Sequence, residues 1–284
     1  MLAINPRSIY TIAKKEFLDN VRNKWILLLT VIFIISIIAF SYVAGGQTGG
    51  DSFGNMKITV FSITVISILI IPLIAIILGF GTISGEAESG ALYVVLSYPI
   101  RRIEVLFGKL IGLGAVISIS ILLGFGLGGI IIAATVGTDY FGGYIAFIFL
   151  SIFIGVIFLS LSICISAYCK KRITSIFGGI LIFFWSFMIY NLIISVILFF
   201  TGISQEAYLT NQYPDWYYYS AVFNPTSLYP TAVQRAFGVT SLDTGEITTV
   251  FPEILSTPLV IISLIIWFIV PLILAYIFFK RRDI

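Results

Sequence analysis

Ile58 to Ile83 reads ITVFSITVISILIIPLIAIILGFGTI, twenty-six consecutive positions without Asp, Glu, Lys or Arg. A helix rises about 1.5 Å per residue, and about 20 apolar residues cross the hydrocarbon core of a bilayer, so a run of this length reads as a transmembrane helix. The same reading carried outward finds five more uncharged runs, at 25–44, 110–136, 143–168, 173–200 and 258–279. Every formal charge then falls in a connection or a tail. With 59% hydrophobic and 10% charged residues over 284 positions and a mean hydropathy of +1.10, the chain is too apolar for a water-soluble domain. The expectation is an all-α membrane protein: a cytoplasmic segment 1–24, then a six-span transmembrane domain 25–284.

Lys and Arg near the ends of spans are held on the cytoplasmic side. The N-terminal tail (Arg7, Lys14, Lys15, Arg22, Lys24), the connection carrying Arg101, Arg102 and Lys109, the connection Lys170-Lys171-Arg172 and the tail Lys280-Arg281-Arg282 hold fourteen of the sixteen basic residues. Lys57 and Arg235 alone fall on the other side. Both termini are therefore expected in the cytoplasm. The first apolar run follows Glu16 and Asp19 and has no small-residue cleavage site, so it reads as a retained span rather than a removed leader. The net charge of +3 follows from this asymmetry and calls for no nucleic-acid partner.

Ahead of the first span, Asn5-Pro6 can cap and open a helix, and Ile9, Ala13, Phe17 and Val21 recur every four residues to form one apolar face. Lys14, Lys15, Asp19 and Arg22 lie mostly off that face, as in a helix lying in the membrane interface, with Trp25 as its anchor and lipid as its partner. A solvated cytoplasmic helix is the alternative.

The cytoplasmic connection 84–104 contains SGEAESGALYVVLSYPIRR from Ser84 to Arg102. Glu86 and Glu88 suit the positive end of a short helix, Leu92, Val95 and Leu96 form an apolar stripe, and Pro99 ends it. The stripe suits a groove on a partner protein or packing against the bilayer or neighbouring spans. In the third span Gly124 and Gly128 make a small-xxx-small pair, fit for close helix packing or a subunit contact. Pro72 and Pro271 are expected to kink their helices. The segment 201–257 is too long for a simple turn and lies outside the membrane. Asp215-Trp216-Tyr217-Tyr218-Tyr219 reads there as an interface belt, and Glu206, Asp215, Asp243, Glu246 and Glu253 outnumber Arg235. An exit gate, a docking surface or a solvated loop all fit.

The chemistry of the spans narrows the function. There is no histidine, which removes the usual Ser-His-Asp, Cys-His and zinc arrangements, and Cys164 and Cys169 make no familiar metal set. Gly108-Lys109 is followed by Leu110 and lacks the upstream glycine of a phosphate-binding loop. The expectation is a transporter component rather than an enzyme, with no metal or catalytic site. Uncharged spans also disfavour a proton-driven carrier, whereas sodium coupling through backbone carbonyls stays open.

In order and spacing, Lys14-Lys15-Glu16-Phe17 before Trp25, Glu86-Ala87-Glu88-Ser89-Gly90-Ala91-Leu92, Leu96-Ser97-Tyr98-Pro99, Arg101-Arg102, Gly108-Lys109-Leu110 and Lys280-Arg281-Arg282 resemble the permease subunits of the type 2 ABC exporter family. Ala91 stands where family members often have threonine. The resemblance runs the length of the chain. It implies ATP-driven export through two permease chains, as homodimer or heterodimer, in a prokaryotic plasma membrane. ATP and Mg would be bound by a separate ABC ATPase and no cofactor by this chain. It further implies that Glu86, Glu88, Ser89, Gly90, Leu92, Val95, Leu96, Pro99, Arg101 and Arg102 form the coupling segment that receives the ATPase's motion. On that reading Leu92→Arg or Leu96→Arg would leave folding intact and abolish ATPase association. The general look is similar to permeases associated with maturation of the copper sites of nitrous oxide reductase, but no residue secures this over drug, lipid, peptide or sodium export, and no substrate-binding residue is named. An ion-coupled carrier or channel, or a membrane assembly factor acting through 201–257, are the other readings.

Overall fold

The computed structural model describes residues 5–46, 56–135, 141–203, 213–238, 241–243, 248–250 and 254–282. Glu206, Glu246 and Glu253 lie outside the described residues, as do the side chains of Trp25, Lys57 and Asp243. The helices in chain order are α1 (Pro6–Val21), α2 (Lys24–Gly46), α3 (Met56–Gly79), α4 (Ser84–Glu88), α5 (Ala91–Ser97), α6 (Arg102–Thr135), α7 (Phe141–Tyr168), α8 (Arg172–Phe184), α9 (Tyr190–Phe200), α10 (Asp215–Ser220), α11 (Pro225–Ala236) and α12 (Thr257–Arg281). A π-helical turn, Trp185–Ile189, joins α8 to α9. A short antiparallel ribbon, β1 (Ser241–Asp243) on β2 (Thr248–Val250), accompanies the helices of an otherwise all-α fold.

Among the described residues, five helical runs are long and apolar enough to cross a membrane, and a sixth is reached if α1 and α2, bent by 71°, count as one broken span. Serine and threonine sit inside these runs at little cost, because their hydroxyls donate to the carbonyl one turn back. Thr64 to Val60, Ser67 to Ile63 and Ser151 to Phe147 are examples. Pro72 and Pro271 lie inside α3 and α12, and neither ends its helix.

The core forms around α7, which packs on α3, α6, α12 and α11. Phe125 of α6 meets Phe33 of α2 edge-on at 5.6 Å and Phe147 of α7 at 4.6 Å. Of the two roles open to Gly124 and Gly128, the structure uses them for packing within the chain. A Cβ at Gly124 would lie 2.7 Å from Phe33, and one at Gly128 would lie 2.8 Å from Ile37, so α2 and α6 approach only because both positions lack side chains.

The described part of the segment between α9 and α12 is more embedded than a solvated loop. Leu228, Tyr229 and Val233 of α11 are buried against the bundle, and the Tyr229 hydroxyl shares a 2.7 Å hydrogen bond with Ser151 of α7. Asn224 caps α11 by accepting from Thr226 N and also donates through Nδ2 to the Ser186 carbonyl in the π-turn, at 2.8 Å. The Thr226 hydroxyl donates to that same carbonyl at 3.2 Å. A π-turn disturbs the ordinary helical ladder, and α11 supplies donors for it. The run α8–α9 is otherwise little covered, with Phe177, Leu181, Phe184, Met188 and Leu192 exposed.

Candidate functional site at one end of the bundle

The single helix expected between Glu86 and Pro99 is two helices. Gly90 adopts φ +78° at the junction of α4 and α5, with nothing within 4 Å of where a Cβ would stand. Glycine is needed there for the left-handed backbone, not for space. Ser89 donates to the Glu86 carbonyl and closes the turn.

The stripe on α5 faces inward. Leu92 is 0% exposed, and Val95 and Leu96 pack half-buried on the same core. Tyr93, Val94 and Tyr98 point outward with 55, 63 and 62% exposure, and Ser97 and Pro99 are exposed beside them. The groove-binding face and the Leu92→Arg expectation are thereby corrected. In seven residues α5 buries one side against the bundle, and an arginine at Leu92 would be driven into a core. Packing against neighbouring spans, the alternative left open, describes this stripe.

Below α5 lies a buried cluster of charges. Lys109, at the membrane end of the first turns of α6, is 2% exposed, and its ammonium donates to Glu16 Oε1 of α1 at 2.7 Å and approaches Glu86 Oε1 of α4 at 2.8 Å. Lys15 approaches Glu86 from the surface at 3.7 Å and Asp19 at 3.9 Å. An ammonium withdrawn from water needs such partners. Two glycines make the geometry possible. A Cβ at Gly112 would lie 2.5 Å from the Ala13 carbonyl, and one at Gly108 would lie 2.7 Å from Ile12, so α1 rests almost on the backbone of α6 and delivers Glu16 to Lys109. A second carboxylate pins the ends of the same two helices: buried Glu104 accepts from Asn5 N at 2.8 Å and from Arg101 N at 3.2 Å.

Arg102 and Glu88 are turned to internal work. Arg102 Nη1 donates to the carbonyls of Phe279, Lys280 and Arg282 at 2.6, 2.7 and 2.9 Å, closing the C-terminal end of α12 where unpaired carbonyls collect. Glu88 Oε2 accepts from Arg172 N, at the start of α8, at 2.7 Å. Arg282 in turn reaches the carbonyls of Ser166, Cys169 and Lys170 at the end of α7. Burial pulls its guanidinium below the usual value, against the raising influence of Cys169 and Tyr93. The ends of α1, α4, α6, α7, α8 and α12 on this side of the bundle are thus joined by polar bonds.

Of the residues expected in the interfacial helix, Lys14 and Lys15 are exposed and Phe17 is half-buried on the core. The face of α1 that carries Ile12, Ala13 and Glu16 is occupied by α6, so protein covers part of what reads in sequence as a lipid-facing side. Glu16, Glu104 and Lys109 were not singled out as site residues. The available signal was Lys109 itself, a lone ammonium against a long apolar run, with glycines at positions 108 and 112 framing it.

A family model described as ABC-2 family transporter protein matches residues 10–284. The chain is 27% identical over 284 residues to the probable ABC transporter permease protein NosY of Pseudomonas aeruginosa, covering 97% of this chain and 99% of that one. It is 25% identical over 278 residues to the probable ABC transporter permease protein NosY of Stutzerimonas stutzeri, covering 96% and 98%. The family match takes in the spans and the Lys109 cluster alike, and the chain therefore belongs to the ABC-2 transporter family as a multi-pass membrane permease.

Proposed function

We propose that this permease is the membrane-spanning subunit of an ATP-driven exporter. It pairs with a second permease chain and is moved by a separate ABC ATPase that binds ATP and Mg on the cytoplasmic side. The observation that carries the reading is the joint at Lys109: α4, which leads into the exposed face of α5, is tied through one buried ammonium to both α6 and α1. A push on α5 would be passed to a spanning helix through these short ionic contacts. Tyr93, Val94 and Tyr98 give that push a place to act, since exposed apolar and aromatic groups held on a rigid helix suit a partner's groove. Family membership supports the ATPase partnership. The fourteen-to-two division of basic residues supports cytoplasmic termini in a prokaryotic plasma membrane. The transported substrate is left open.

The test separates the two faces of α5. Val94→Arg places charge on the exposed side and should leave yield and monodispersity of the purified permease unchanged while removing the co-purifying ATPase. Leu92→Arg should lose the folded protein. Stoichiometric ATPase retained on folded Val94→Arg, and again on Tyr93→Asp/Tyr98→Asp, would refute the assignment of this face.

A further inference from the structure

Toward the end of the bundle opposite the charge cluster, α9, α10 and α11 enclose a cavity of about 390 Å³, at the small end of the roughly 300–1,000 Å³ range of ligand sites. Asn191, Ser195, Tyr217, Ser227, Thr231 and Gln234 are among its lining, with three further tyrosines and, among the described residues, no Asp, Glu, Lys or Arg.

Three observations make this more than a packing gap. The first is depth. Asn191 lies nine residues before Phe200 at the end of α9, about 14 Å along the helix at 1.5 Å per residue, so the cavity reaches well into the membrane's thickness. The second is polarity at that depth. Asn191 spends one donor on the Phe187 carbonyl at 2.8 Å, and its side chain is exposed, as is that of Ser195 one turn on. Carboxamide and hydroxyl groups at this level are costly against hydrocarbon, and such groups face protein or a water-filled cavity. The third is the π-turn Trp185–Ile189, which immediately precedes Tyr190 and shifts the helical register for the residues that follow. Turns of this kind recur at functional sites. Here the turn is held by Asn224 and Thr226, from the same outer segment that closes the cavity.

The lining states the ligand's chemistry. Amide and hydroxyl groups offer both donors and acceptors, and the rings of Tyr213 and Tyr217, 4.2 Å apart, offer flat apolar surface. Tyr190 and Ser220 are hydrogen-bonded to one another at 3.0 Å beside them. Burial pushes the Tyr218 phenol up, against a hydrogen bond from Tyr213 and with Asp215 adding to the rise, so it stays a neutral hydroxyl. A charged ligand would lose its hydration here with no lining side chain of opposite charge among the described residues to replace it. We infer that this cavity is an outward-opening binding site for an uncharged compound that carries hydroxyl and amide groups on a ring, of about the size of an N-acetylated monosaccharide. The inference rests on the membrane orientation proposed above and is independent of the ATPase coupling, because binding from outside needs no nucleotide.

The test uses right-side-out vesicles carrying the full chain, with Cys164→Ala and Cys169→Ser as background and Ser195→Cys as reporter. A membrane-impermeant maleimide should label Ser195→Cys from outside. N-acetylglucosamine at about four times its dissociation constant should slow that labelling about fivefold, because about one fifth of the sites are then free. Glucosamine, its cationic analogue, and glucuronate, an anionic one, should not slow it. Gln234→Leu should abolish the protection while leaving the labelling. Failure to label, equal protection by all three sugars or by none, or a disulfide between two Ser195→Cys chains showing that a second copy covers the cavity would each overturn the site. Tyr98→Cys labels only in inverted vesicles; if it labels from outside, the orientation fails, and the inference falls with it for a reason that is then distinguishable.

Discussion

Replacing Lys109 by methionine keeps the length of the side chain and deletes its charge, leaving Glu16 and Glu86 facing one another. Both carboxylates had lain within 2.8 Å of the same ammonium, and their side chains are only 10 and 20% exposed. Removing one partner of a buried ion pair costs about 3–5 kcal/mol, because the remaining charge is stranded. Glu86 lies near enough to water, and to Lys15 at 3.7 Å, to recover part of its solvation, which places the cost near the lower figure. At about 3 kcal/mol, and the 2–4 °C per kcal/mol of larger domains, the unfolding midpoint should fall by roughly 6–12 °C. The assay is thermal unfolding in lipid nanodiscs followed by tryptophan fluorescence. Lys109→Met combined with Glu16→Gln and Glu86→Gln removes the whole cluster's charge and should regain most of the loss, since neutral replacement of an entire buried ionic set is often nearly free. A wild-type midpoint in Lys109→Met, or a triple variant no better than the single one, would refute the claim that this ammonium holds α1 and α4 to α6.

Two further substitutions test how the helices are seated. Gly112→Leu places a Cβ 2.5 Å from the Ala13 carbonyl, which backbone cannot yield, and should detach α1, read as rapid proteolysis near Lys14 and Lys15 in inverted vesicles; Gly126→Ala, with nothing within 4 Å, should leave α1 protected. Asn224→Leu removes both the cap of α11 and a donor to the Ser186 carbonyl, and should cost about 2 kcal/mol, roughly 1 for the cap and 1 for the bond, measured as a lowered midpoint in the same unfolding assay.

The membrane-spanning runs were legible because the bilayer imposes one simple demand, length without charge, and six stretches of this chain meet it. The outer segment was harder because its helix carries two prolines and mixed polarity. Pro225 stands at its first turn and Pro230 lies inside it, so PTSLYPTAVQRA reads as broken chain. Yet Asn224-Pro225 repeats the pairing of Asn5-Pro6, an asparagine cap followed by proline at the first helical position, and both pairs open helices in the structure. Only Asn5-Pro6 is followed by an evident apolar period, so the second pair carries no comparable signal of a helix start. The π-turn had no local signal at all: the donors to its Ser186 carbonyl come from 38 and 40 residues away.

Around α5 and α1 the difficulty was of another kind. Periodicity tells which residues share a side of a helix and is silent on what that side meets. Leu92, Val95 and Leu96 do share a side, but the bundle takes it, so the residues free to meet a partner are Tyr93, Val94 and Tyr98, which interrupt the stripe. The same ambiguity hid α1, where an amphipathic pattern serves lipid and protein equally well. Charge resolves it. A carboxylate on the buried side of a surface helix needs a cation opposite, and Glu16 has Lys109, which lies 93 residues away in sequence and 2.7 Å away in space. Gly108 and Gly112 then acquire their reason, because a pair so short between two helices requires their backbones nearly to touch. The lone lysine at the membrane boundary, the glycines beside it and the carboxylates at 16 and 86 describe one joint, which ties α1 and α4 to the spanning helix α6.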